Sequence, residues 1–256
     1  MKSSSILLVD IGNTSISIGV GHGKRLENTL RLDTKQCSAT TVKKAISKAI
    51  QRKKIHGAVL CSVVPELTEL WKRTIVKTCR IMPLIVHNRL KLGIHIDYPK
   101  PSSIGADRIA NACGAVYRYG TPAIVIDFGT ALTFDVVSKD NKYIGGVIAP
   151  GLPLMTDYLA EKTALLPHIE LRDQCSKIGR STEGAMRIGA HVGYRGIVRE
   201  VIMYLKQNLD MKKVHLCATG GYAKWVLKGL NMPFKFDPNL TLYGLMNIWE
   251  LNTKVS

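Results

Sequence analysis

Two short segments of the chain repeat one design: an apolar run that ends in an aspartate, a glycine turn, and a second run that resumes at once. Residues 6–9 lead into Asp10-Ile11-Gly12-Asn13-Thr14 and then residues 16–20; residues 123–126 lead into Asp127-Phe128-Gly129-Thr130 and then residues 132–137. Short apolar runs bounded by glycine and followed by alternating residues read as β-hairpins. Each hairpin is followed by a further strand and by helix-like stretches, at residues 41–51 and 66–79 in the first half and at 152–163 and 182–209 in the second. A duplicated α/β unit follows, with the division near residues 119–122, giving expected domains at 1–119 and 120–256. Both glycine turns fall at the carboxyl ends of strands, so a nucleotide is expected in a cleft between the halves.

The turns have the right chemistry for that ligand. Glycine lets a phosphate approach the backbone closely, Asn13 and Thr14 add neutral donors, and Asp10 can hold magnesium directly or through water. Either motif alone is no more than a strand-ending turn. Paired at matching places in two halves, they favour an ATPase. Other nucleotide motifs fail: Gly23-Lys24 ends like a P-loop, but residue 18 is isoleucine and residue 25 arginine where that motif needs glycine and Ser or Thr.

A third segment, Gly105-Ala106-Asp107-Arg108, stands where a loop enters a helix over residues 107–117. An aspartate there has a structural role available, facing the helix dipole. With arginine beside it, the pair also suits an alcohol kinase, which needs a carboxylate to accept the hydroxyl proton and a cation to hold an acidic substrate.

Charge and cysteine usage bound the alternatives. A net charge of +17 could serve nucleic acid, but the basic clusters at Lys43, Lys44, Lys48, Arg52, Lys53 and Lys54, and at Lys72, Arg73, Lys77 and Arg80, lie in helix-like stretches away from aromatics. They read as solvated outer faces, and no specific nucleic-acid partner is expected. The cysteines, at 37, 61, 79, 113, 175 and 217, show no C-x-x-C pair and read as reduced thiols. Residues 1–9 carry too short an apolar run for a leader or a membrane span, so a cytoplasmic protein with no membrane partner is expected.

The ordered motifs resemble those of the type III pantothenate kinases. They are Asp10-x-Gly12-Asn13-Thr14, Tyr98-x-x-Pro101 before Gly105-Ala106-Asp107-Arg108, and Asp127-x-Gly129-Thr130-Ala131-x-Thr133-x-Asp135. Gly145-Gly146-x-Ile148-x-Pro150-Gly151, Ser181-Thr182 and Thr219-Gly220-Gly221 extend the resemblance almost end to end.

The resemblance implies a duplicated ribonuclease H-like fold of the actin-like ATPase kind and a kinase that phosphorylates pantothenate with ATP, the first step of coenzyme A biosynthesis. It implies Asp107 as catalytic base and ATP contacts at Asp10, Ile11, Gly12, Asn13, Thr14, Ser15, Ile16, Ser17 and Thr130. Tyr98, Gly105, Ala106, Asp107, Arg108 and Thr182 would line the pantothenate pocket. Magnesium with ATP would lie at Asp10, and an activating K⁺ or NH₄⁺ at Asp127. It also implies a homodimer.

The chain departs from the family where Ile188-Gly189 stands in place of a serine-glycine pair. Two other readings stay open on sequence alone: an actin-like sugar or acetate kinase, and a noncatalytic regulatory or nucleic-acid-binding relative. Glycines at 184, 189, 193 and 196 in the helix after Thr182 serve close packing, either internal or across a dimer seam.

Overall fold

The structure, a computed structural model, describes residues 4–171 and 177–253; Cys175 lies outside them. By contacts, the chain groups into two units that cross the repeat boundary expected near residue 120. The first runs to Gly120 and takes in Val137–Ile144 and the chain from Asn239 onward; the second is Thr121–Val136 with Gly145–Pro238.

The first unit is built on a five-stranded sheet in the order β3-β2-β1-β4-β5, with β1 Ser5–Ile11, β2 Ser15–His22, β3 Arg25–Asp33, β4 Ile55–Ser62 and β5 Leu84–Ile85. The first three strands form an antiparallel meander, and β1, β4 and β5 run parallel. Because helices cover both faces, β1 is apolar nearly throughout rather than alternating. Leu7, Val9 and Ile11 face one core, packed by α1 Ala39–Ile50 and α2 Pro65–Cys79. Ile6 and Leu8 face the other, packed by α3 Ala106–Tyr119 and α8 Leu240–Thr253.

Local sequence explains the helices. In α1, Val42, Ala45, Ile46 and Ala49 recur at helical spacing on the buried face, and the Ser38 side chain caps the start by accepting from the Thr41 amide. The α3 and α8 helices meet backbone to backbone. A methyl on Gly244 would overlap the Ala110 carbonyl, and one on Gly114 would overlap that of Leu240. A two-residue strand, β6 His95–Ile96, pairs with Lys142 and Tyr143 in this unit.

The second sheet, to which β6 adds at the β9 edge, repeats the plan. With β7 Ala123–Phe128, β8 Ala131–Val137, β9 Lys142–Pro150, β10 His215–Thr219 and β11 Phe234–Phe236, its order β9-β8-β7-β10-β11 matches β3-β2-β1-β4-β5 position for position. Here too the central strand runs parallel to the next, β7 with β10, and β10 with β11. Its helices are α4 Leu152–Lys162, α5 Thr182–Ile188, α6 Tyr194–Asn208 and α7 Ala223–Leu227. The single helix expected over residues 182–209 is interrupted: Gly189–Gly193 form a π-helical turn between α5 and α6. Glycines weaken a helix and admit such a turn, a feature frequent at functional sites.

Candidate active site

Asp10 is the penultimate residue of β1, and the turn after it is tightly tied. The Gly12 amide donates to the Ser15 carbonyl at 3.1 Å, and Thr34, just past β3, braces the turn through its hydroxyl on the Gly12 carbonyl (2.8 Å) and its amide on that of Thr14 (3.0 Å). Asn13 and Thr14 are left exposed, while Ser15 and Ser17 are half-buried. The Ile11 and Ile16 side chains are fully buried in the α1/α2 core, so only their backbone can meet a ligand. Ser15 is engaged by Arg31, whose Nε donates to its hydroxyl at 3.0 Å.

Asp107 sits in the first turn of α3, behind Gly105 at the N-cap. Its carboxylate folds back over that glycine, since a methyl there would lie 2.5 Å from Oδ1, and Oδ1 accepts the Arg108 amide at 2.8 Å. Burial raises the Asp107 carboxyl above its usual range, only partly offset by the Arg108 amide and guanidinium. A carboxylate held this way is a stronger base than an ordinary one.

Asp10 and Asp107 come from distant parts of the sequence but share a neighbour. Cys61 of β4 is the strand partner of Asp10 and is fully buried. Burial pushes its thiol well up, and the charges of Asp10 and Asp107 and a hydrogen bond to Asp10 push further. The charges of the two carboxylates therefore both act on one thiol near the carboxyl ends of β1 and β4. Cys61 was not singled out by the sequence, where nothing marks a strand-ending cysteine as the neighbour of residue 10.

Arg108 follows Asp107 on α3 and is half-buried; Ala106 opens the helix. Tyr98 is partly exposed and packs edge-on against Tyr143, with ring centroids 6.3 Å apart. Between Tyr98 and Gly105, Pro101–Ser103 form one 3₁₀ turn, and buried Ile104 anchors it.

In the second unit, Asp127 is the penultimate residue of β7 and the strand partner of buried Thr219. Gly220 has φ +96°, and a methyl there would lie 2.5 Å from Asp127 Oδ1 and 2.6 Å from the Phe128 backbone. Only glycine suits that position. Thr130 is exposed at the turn, its carbonyl covered so closely by Gly151 that a methyl on the latter would overlap it. Tyr194, at the end of the π turn, is fully buried; burial raises its hydroxyl, opposed by the nearby Leu152 backbone and reinforced by the charges of Asp127 and Tyr222. Nothing in the sequence sets Tyr194 apart from the rest of its helix. Thr182 is exposed at the start of α5, after the Ser181 cap.

The donor set fits magnesium carried on ATP. Asp10 offers hard oxygen at the turn, with Asp107 close by, and among the described residues no cluster of three His, Cys, Asp or Glu forms a cage of its own. Magnesium is commonly held by one or two carboxylates, with phosphates and water completing its shell.

Two copies of a ribonuclease H-like sheet, each with an aspartate turn on its central strand, define an actin-like ATPase fold. Comparison with known proteins makes the assignment particular. The chain matches the family described as Type III pantothenate kinase over residues 6–203. It is 47% identical to the type III pantothenate kinase of Akkermansia muciniphila over 77% of this chain and 79% of that one, and 40% identical to that of Methylacidiphilum infernorum over 97% and 89%. Among solved structures, a Campylobacter jejuni protein described under the Baf family of transcriptional activators superposes with a TM-score of 0.61 at 20% identity, covering 97% of this chain and 100% of the other. That last likeness shows the fold alone. The chain belongs to the type III pantothenate kinases. This membership sets aside the sugar- or acetate-kinase and noncatalytic readings.

Proposed function

We propose that Asp107 is the general base of this ATP-dependent pantothenate kinase. The enzyme moves the γ-phosphoryl of ATP to the primary hydroxyl of pantothenate, forming 4'-phosphopantothenate for coenzyme A biosynthesis. In the step itself the substrate oxygen bonds to the γ-phosphorus, the bond from that phosphorus to the β,γ-bridging oxygen breaks, and the hydroxyl proton passes to the Asp107 carboxylate. The observation that carries this reading is a half-buried carboxyl folded over Gly105, raised in pKa, whose charge acts with that of Asp10 on Cys61.

The other roles build on this one. Asp10 holds the divalent metal, and the segment Ile11, Gly12, Asn13, Thr14, Ser15, Ile16 and Ser17 contacts ATP, the isoleucines through their backbone. Thr130 donates to phosphate. When bound, magnesium neutralises phosphate charge and polarises the γ-phosphoryl. Tyr98, Gly105, Ala106 and Thr182 shape the pantothenate pocket, and Arg108 pairs with the pantothenate carboxylate. Asp127 takes the activating K⁺ or NH₄⁺.

The active form is a homodimer. Among the described residues, Gly189, Gly193 and Gly196 have nothing within 4 Å of where a side chain would start, so packing among those residues does not account for them. Leu154, Tyr158, Val192, Met203 and Tyr204 are exposed apolar side chains of the same unit. A second copy covering both would bury apolar surface that is exposed among the described residues. No helix among the described residues is long and apolar enough to cross a membrane, and we place the enzyme in the cytoplasm.

The test is the pH profile of kcat/KM. With Asp107 as base, the acid limb lies above the ordinary carboxylate range, because the group must ionise to act and burial resists that. An acid limb at the ordinary carboxylate value would assign the base to another group.

A further inference from the structure

Part of the net charge of +17 lies away from the catalytic end, gathered by the first unit's topology at one edge. Strands β1, β3, β4 and β5 point the same way, since β3 and β1 both lie antiparallel to β2. The α1 and α2 connections must run back against them. Both helices therefore end at the base of the sheet, opposite Asp10 and the Gly12 turn, and the β2–β3 turn lies at the base too.

Each of these loops is basic. Lys24 and Arg25 occupy the hairpin turn, Arg52 and Lys54 follow α1, and Lys77 and Arg80 close α2; all are exposed, and none makes an ion pair among the described residues. The neighbouring carboxylate, Glu27, is already taken by Lys53. The Lys53 hydrogen bond and charge, then the charges of His22 and Arg25, hold Glu27 below its usual range against a burial effect in the other direction. The cations span a five-stranded edge of about 19 Å at a strand spacing of ~4.8 Å.

We infer that this base is a docking surface for the phosphate backbone of double-stranded nucleic acid, bound without regard to sequence. Fixed cations along a rigid edge suit a stiff polyanion that carries one charge per about 1.7 Å of axis. Single strands would want exposed aromatics to stack on, and the aromatic of these two helices, Trp71, is fully buried. A bilayer would want a free apolar helix face, and those of α1 and α2 are spent on the core.

The experiment titrates the full-length enzyme into a labelled mixed-sequence DNA duplex between about 50 and 200 mM salt. Wild type should bind with a slope of log K on log salt of about −4 to −6. Combining Lys24→Gln, Arg52→Gln, Lys54→Gln, Lys77→Gln and Arg80→Gln should remove most of that slope and leave pantothenate kinase turnover intact. Matched replacement of Lys206, Lys212, Lys213, Lys224 and Lys235 by glutamine, in the second unit, should keep it. The single variant Arg80→Gln should make the slope less negative by about 1. Equal losses from both combined sets would overturn the placement, as would an unchanged slope in Arg80→Gln. Binding to vesicles of anionic phospholipid under conditions where the duplex does not bind would replace nucleic acid with a membrane surface.

Discussion

The two aspartate turns start from the same backbone and end in different chemistry. Asp10 and Asp127 are each penultimate on the central strand of their sheet, each followed by one apolar residue and a glycine, and each paired with a parallel neighbour, Cys61 or Thr219. The surroundings then diverge. After Cys61 the chain continues through Ser62, whose hydroxyl accepts from the Val64 amide at 3.1 Å, into α2, and the charge of Asp107 acts on the same thiol. After Thr219, Gly220 presses its backbone against Asp127 and leaves no room for a second carboxylate from that side. The loop leaving the neighbouring strand has specialised a duplicated template: in one copy a second acid acts on the neighbouring strand's thiol, and in the other a glycine backbone closes against the acid.

If that division is right, the largest effect belongs to the acid unique to the first copy. Asp107→Asn should lower kcat by about 10²–10⁴, the usual scale of general-base catalysis, with ATP affinity nearly unchanged. The same variant should be more stable than wild type at neutral pH. A carboxyl whose folded pKa is raised contributes stability that is complete below the unfolded carboxylate value and is lost as pH climbs through the raised folded one. The melting temperature of the variant should pull ahead of wild type across that window. Near-wild-type turnover in Asp107→Asn would erase the functional difference between the two turns.

A smaller effect is expected from the turn acid of the second copy. Asp127→Ala should abolish stimulation by K⁺ or NH₄⁺ and weaken ATP binding, while activity at high ATP survives in part. Initial rates measured with sodium, potassium or ammonium as the sole monovalent cation decide this. A wild-type enzyme equally active in sodium would show that Asp127 holds no activating ion.

Much of this was legible because the strands that carry the acids are buried on both faces and so read as unbroken apolar runs ended by glycine. The hairpins, α1, α2 and α3, the parallel strands and the acids themselves follow from that pattern. The hidden features depend on contacts distant in sequence. β6 is two residues held by backbone bonds to β9, with no periodicity to read. The return of α8 to α3 rests on Gly114 and Gly244, far apart in the chain, and the π turn rests on a small departure in a helical run. Cys61 and Tyr194 look like core residues until the fold sets them beside Asp10 and Asp127.

The second copy's closed geometry can be broken directly. Gly220→Ala must adopt φ +96° and set a methyl 2.5 Å from the Asp127 carboxylate. The backbone strain alone costs about 1–3 kcal/mol, read as a lower melting temperature, and the shifted carboxylate should reduce the response to monovalent cations. Ser62, at the corresponding place in the first copy, carries a side chain without such a clash, and Ser62→Gly should leave the monovalent response as it was. A Gly220→Ala enzyme with wild-type stability would mean that the two copies are equally open.

The smallest effect tests whether the thiol beside Asp10 matters as a thiol. Cys61→Ser replaces it with a hydroxyl, as Thr219 already provides beside Asp127, in a site where Cys61 is fully buried. The hydroxyl is the stronger donor to the Asp10 carboxylate, but it buries a more polar atom, and the two changes nearly cancel at about 1 kcal/mol each. Turnover and the magnesium concentration for half-maximal rate should therefore stay close to wild type. Cys61→Ala keeps the packing but removes the donor, so it should raise the magnesium requirement more than the serine variant does. If serine and alanine impair the enzyme equally and severely, the first copy depends on sulfur chemistry that the second does not have, and the two turns differ by more than their surroundings.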